Sequence, residues 1–85
     1  MTDYVFARQF LIDLAAFEPF ASARDRDILD KTLAAVIQNP ELPGRMPSFY
    51  DPSSPSYLYR AEKFLIHIRV TDGILEFINF FWPRV

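Results

Sequence analysis

Phe64-Leu65-Ile66-His67-Ile68-Arg69-Val70-Thr71-Asp72-Gly73-Ile74-Leu75-Glu76-Phe77-Ile78-Asn79-Phe80-Phe81-Trp82 is the stretch whose reading decides the fold. Its first part alternates. Phe64, Ile66, Ile68 and Val70 fall on one face of an extended chain, while His67, Arg69 and Thr71 share the other with Leu65. Asp72-Gly73 is a dipeptide that two-residue type I′ turns favour, because both positions of that turn need a positive φ. Phe64–Thr71 is therefore expected to pair antiparallel with Ile74–Trp82. That last strand is apolar on both faces apart from Glu76 and Asn79, and Pro83 ends it. Tyr57–Arg60, just upstream, reads as one more strand and completes a three-stranded antiparallel meander.

Moving outward, Tyr4–Ala7 is a short β-prone run that leads into an amphipathic segment, Arg8–Phe17. Ala7, Phe10, Leu11, Leu14 and Phe17 recur at helical steps and predict one buried stripe. The helix is expected to end near Glu18, since a proline disfavours helical geometry in the residue before it. Ser22 and Asp25 then form a capping arrangement for a second helix that runs to about Gln38, with Ile28, Leu29, Leu33, Val36 and Ile37 as its apolar stripe. Pro40 stops it. The 40–55 stretch carries Pro40, Pro43, Pro47, Pro52 and Pro55, so no regular element is expected there. Leu42, Met46, Phe49 and Tyr50 could anchor such a loop over one edge of the sheet.

The predicted architecture is α+β: an N-terminal strand, a helical hairpin, then the meander, with the hairpin as the only cover for a four-stranded antiparallel sheet. Eighty-five residues suit a single domain over 1–85. With 51% hydrophobic and 16% aromatic residues, the chain is too apolar for disorder. A partner or a second copy, as in a homodimer, is expected to cover any aromatic surface that one sheet face and two helices leave bare. No cysteine is present, and one histidine makes a nitrogen-rich metal site within the chain implausible, so neither metal nor cofactor is expected. Charges interrupt every apolar run long before bilayer length, which points away from membranes and towards the cytoplasm. The formal net charge of -2 argues against bulk attraction to nucleic acid.

Two groups of residues carry candidate chemistry. His67 is the one side chain suited to proton transfer near neutral pH, and Arg69 lies two positions away on the same predicted face. A nuclease would use His67 as an acid and Arg60 or Arg69 as a phosphate clamp. The plainer reading is a surface histidine beside a solvated arginine. The second group is Phe77, Phe80, Phe81 and Trp82. In a regular strand Phe80 and Trp82 point one way and Phe77 and Phe81 the other, which a single-sided core cannot absorb. Such aromatics suit a groove for a partner segment, or else the helices cover one side and the proline-rich loop the other.

The β-α-α-β-β-β order, the N-terminal Tyr4-Val5-Phe6-Ala7-Arg8-Gln9-Phe10-Leu11, Asn39-Pro40-Glu41-Leu42-Pro43-Gly44, Tyr59-Arg60, the Asp72-Gly73 turn and the last apolar strand together resemble the RelE/ParE toxin superfamily. The resemblance implies the toxin of a bacterial type II toxin–antitoxin system, a growth inhibitor of the kind that stabilises plasmids, neutralised by a cognate antitoxin. Leu65 stands where RNA-cutting members carry an arginine, and the chain is mildly acidic. Both departures weight the reading towards a ParE-like toxin that acts by binding DNA gyrase, with no catalytic residues of its own. Two alternatives stay open. One is a RelE-like endoribonuclease cutting messenger RNA on the ribosome with Arg60, His67, Arg69 and the C-terminal Arg84; the other is a non-toxic interaction module on the same fold.

Overall fold

The computed structural model describes residues 3–41, 46–48 and 55–82. The elements are β1 (Asp3–Phe6), α1 (Arg8–Phe17), a 3₁₀ turn (Glu18–Phe20), α2 (Ala23–Gln38), β2 (Met46–Ser48), β3 (Ser56–Ala61), β4 (Phe64–Thr71) and β5 (Ile74–Phe81). They form one five-stranded sheet in the order β1-β5-β4-β3-β2, with α1 against β5 and α2 against β3. The α+β architecture is as expected, but the sheet is mixed and has one strand more. β1 runs parallel to β5, and β2 pairs antiparallel with β3. The proline-rich stretch thus keeps a short strand, because Pro47 sits in an edge strand whose missing N–H costs no ladder bond on the outer side. Of the loop residues proposed as anchors, Met46 is exposed, and Leu42, Phe49 and Tyr50 lie outside the described residues.

Local chemistry explains the element ends. Asp72 and Gly73 have φ of 52° and 77°, the pair of positive values that a type I′ turn needs. The Ser22 hydroxyl accepts from the Asp25 N–H at 3.0 Å, and the Asp25 carboxylate accepts from the Ser22 N–H at 3.1 Å, so both halves of the capping box form. Glu18 keeps helical backbone in spite of Pro19, and the chain tightens into the 3₁₀ turn, where proline in the first turn lacks only a donor that has no helical acceptor. The Tyr59 hydroxyl donates to the Pro40 carbonyl at 2.9 Å and pins the exit of α2 to the sheet.

The core lies between the helices and one sheet face. It comprises Phe10, Phe17, Leu29, Val36, Tyr59, Phe64, Ile66, Ile68, Leu75, Phe77 and Phe80. Leu14, Ile28, Leu33 and Ile37 pack at its margin, whereas Leu11, predicted inside, is 51% exposed. Phe17 meets Phe64 and Phe80 edge-on with ring centroids 5.2 Å apart in each pair, a favoured aromatic geometry. Phe10 bridges Phe77 and Phe80 at 5.4 and 6.1 Å.

The alternation of β5 breaks at one point. Thr71 faces Ile74 and Ile68 faces Phe77, but His67 faces Asn79 and Ile66 faces Phe80, so β5 gains one residue at Ile78. This β-bulge corrects the predicted facing of the aromatics: Phe77 and Phe80 point to the same, helix-covered side. Both are buried in the chain's own core.

Candidate functional site on the outer sheet face

Residues that alternate with the core form the outer face of the sheet. Across β3, β4 and β5 two rows follow from the register: Arg60, Leu65 and Phe81, then Leu58, His67 and Asn79. Arg69 and Glu76 sit opposite each other further along. Arg60, His67 and Arg69 therefore share one face, as the nuclease reading requires. Arg84 lies outside the described residues.

His67 is neither a surface residue nor a free base. It is 3% exposed, and both ring nitrogens have partners. Nε2 lies 2.7 Å from the Ser56 hydroxyl, and Nδ1 lies 3.1 Å from Oδ1 of Asn79. The expectation of a solvated histidine on a wet strand face fails here, because side chains from both flanking strands close over the ring. Among the described residues no buried side-chain nitrogen or oxygen lacks a hydrogen-bond partner, so this polar group inside the outer face is satisfied.

The arginines differ in how they are held. Arg69 donates to Glu76 at 2.7 Å in a partly buried ion pair. Arg60 is exposed, and its Nε donates to the Glu62 carbonyl at 3.1 Å, leaving the guanidinium at the surface of the β3–β4 hairpin. Nearby, Glu62 binds Arg24 at 2.8 Å and Lys63 binds Asp25 at 3.2 Å, so this hairpin is tied to the start of α2. The Ser22 backbone N–H, with Lys63 in support, holds the Asp25 carboxyl below its ordinary value in spite of partial desolvation.

The aromatic candidates separate. Phe77 and Phe80 are internal, Phe81 is 47% exposed on the outer face, and Trp82 rests on Phe17 at 5.3 Å and on the exposed Phe20 at 5.8 Å. A groove of about 340 Å³ runs between Gln9 and Asp13 of α1 and residues 79–82. β1 ends before this part of β5, and α1 takes over its role: the Asp13 carboxylate accepts from the Phe80 backbone N–H at 3.1 Å. Among the described residues no group of three or more His, Asp or Glu side chains is placed to hold a metal, and no helix is long and apolar enough to cross a membrane.

Ser56 and Asn79 were not expected in the site. Counting back from the Asp72-Gly73 turn without a bulge puts Ile78 opposite His67, so the residues alone hide the pairing. The one available signal was that Asn79 is a polar exception in an apolar strand.

No protein-family model matches the sequence, and no curated protein matches it significantly. Solved structures match the fold. A chain of the E. coli DinJ–YafQ complex superposes with a TM-score of 0.73 at 17% identity, covering 96% of this chain and 93% of that one. A second structure, of the E. coli DinJ–YafQ toxin–antitoxin complex, gives 0.72 at 16%, with 95% and 91% covered. YafQ from E. coli strain BL21(DE3) gives 0.67 at 20%, with 98% and 94% covered. The chain shares the fold of these structures, an α+β fold of the kind that the resemblance to RelE/ParE toxins implies.

Proposed function

We propose that this chain is the toxin of a type II toxin–antitoxin pair, neutralised by a cognate antitoxin protein, and that it acts as a RelE-like endoribonuclease on messenger RNA at the ribosome. The observation that carries the first part is the likeness, over 96% of the chain, to a structure solved as a DinJ–YafQ complex, the pair that a second structure names as toxin and antitoxin. Its site of action would be the cytoplasm, where ribosomes are, and its effect when unopposed would be arrested growth.

The choice of RNA rests on the arrangement of the outer face. Arg60, His67 and Arg69 share that face, while two of the four aromatics that suggested a partner groove, Phe77 and Phe80, are spent on the core. In RNA cleavage the 2′-hydroxyl attacks the adjacent phosphorus, a base takes the 2′ proton, the bond to the 5′-oxygen breaks, and that oxygen takes a proton from water. His67, expected from the sequence as an acid, would be that base once the Ser56 hydroxyl gives way at its buried Nε2. Arg60 and Arg69 would stabilise the charge that builds on the phosphoryl oxygens, a contribution of about 10²- to 10³-fold for one such donor. A cyclic 2′,3′-phosphate and a 5′-hydroxyl would result.

The ParE-like reading keeps three points in its favour: the net charge is -2, Leu65 stands where the resemblance implies an arginine in RNA-cutting members, and Arg69 is already paired with Glu76. One pair of assays separates the two. Purified protein added to translating ribosomes should produce discrete cuts in the message, mapped by primer extension, and should leave gyrase supercoiling intact. Inhibited supercoiling with an uncut message would reverse the assignment.

A further inference from the structure

Ser56, His67 and Asn79 come from three different strands and meet on one line, with hydrogen-bonded distances on both sides of the imidazole. The bulge at Ile78 is what brings Asn79 there. Without it an isoleucine would face His67, and the ring would have no partner on β5. The side-chain oxygen of Asn79 can only accept, so the proton of a neutral ring sits on Nδ1. Nε2 is then left with its lone pair, and the Ser56 hydroxyl must be the donor across the 2.7 Å contact. A hydroxyl donating to Nε2 is the same interaction that the 2′-hydroxyl of RNA would make with a base at the moment of attack.

We infer that Asn79 and Ser56 are positioning residues for the RNA-cleaving site, Asn79 holding His67 as the Nδ1–H tautomer and the Ser56 hydroxyl occupying the place at Nε2 that the attacking 2′-hydroxyl takes over. This rests on the endoribonuclease reading for its reaction, but the tautomer claim stands on the geometry alone.

The chain has one histidine, so a long-range ¹H–¹⁵N spectrum of the full-length protein contains one imidazole pattern. The neutral ring should show a protonated Nδ1 and an unprotonated Nε2. Asn79→Ala should yield a mixture of tautomers, and Asn79→Asp, whose carboxylate also accepts, should restore the single form. In cleavage of ribosome-bound message, Asn79→Ala should lower kcat roughly tenfold with little change in KM, as expected for misplacing a base rather than losing binding. Ser56→Ala should keep the tautomer and lower KM about threefold, because the substrate no longer displaces a hydroxyl. A wild-type ring protonated on Nε2, or an Asn79→Ala spectrum with one unchanged tautomer, overturns the inference whatever the cleavage assay gives. If Asn79→Ala does not fold, the wild-type and Asn79→Asp spectra decide. A wild-type chain that cuts no message removes the reaction these residues would serve, and is distinguished from a wrong tautomer by the spectrum.

Discussion

The two faces of this sheet are cut from the same strands, yet they are stabilised by different physics. On the helix side Phe10, Phe17, Phe64, Phe77 and Phe80 interlock, and burial of apolar area does the work. On the outer side a buried hydrogen-bonded line, Ser56–His67–Asn79, sits between Arg60 and the Arg69–Glu76 pair. Apolar packing tolerates relaxation, whereas a buried polar line is neutral when complete and costly when broken. The bulge at Ile78 serves both faces at once, since it turns Phe80 inward and Asn79 outward. One inserted residue thus reconciles a core with a site.

The contrast can be tested by substitution on each face. Phe77→Ala, at the centre of the ring cluster, should cost about 3–5 kcal/mol, read as a fall in the urea midpoint; a loss under about 1 kcal/mol would mean that the helix face is loosely packed. His67→Ala should cost about 1–3 kcal/mol, because Ser56 and Asn79 lose their shared partner inside the sheet. The triple change His67→Leu, Ser56→Ala, Asn79→Leu should recover most of that loss, and its failure to do so would place the cost in packing rather than in unsatisfied polar groups. Ser22→Ala should cost about 1 kcal/mol through the lost cap of α2.

The same cap has a pH signature. Asp25 is held below its unfolded value, first by the Ser22 N–H and further by Lys63. Its contribution is therefore present above the unfolded carboxylate pKa of about 4 and lost as pH falls through the lower folded value. Asp25→Asn should flatten the acid limb of a stability–pH curve, and a limb unchanged by that substitution would show that other carboxylates govern it. Smallest of all, Arg69→Ala should cost less than about 1 kcal/mol, since the Arg69–Glu76 pair is only partly buried. Its larger effect is expected on cleavage.

Periodicity made the helices and the β4–β5 hairpin legible, because both depend on local repeats: Phe10 and Phe17 on one helical stripe, Phe64, Ile66 and Ile68 on one strand face, and Asp72-Gly73 between the strands. Two features were not local. The parallel pairing of β1 with β5 joins the two ends of the chain, and nothing in Tyr4-Val5-Phe6 states its direction. The site was half legible. His67 and Arg69 share a face by simple alternation, but Arg60 joins them only through the β3–β4 register, and the residues that hold His67 depend on a register shift that no alternation pattern records. Burial of His67 likewise follows from its neighbours on β3 and β5 and not from its own strand.

Arg60→Ala tests the division of labour between the faces most directly, because Arg60 is exposed and belongs to no part of the core. The measurement is cleavage of ribosome-bound message beside the unfolding midpoint of the same protein. Loss of cuts with the midpoint unmoved is the predicted result; full cleavage by Arg60→Ala, or loss of cleavage only in step with loss of stability, would contradict it.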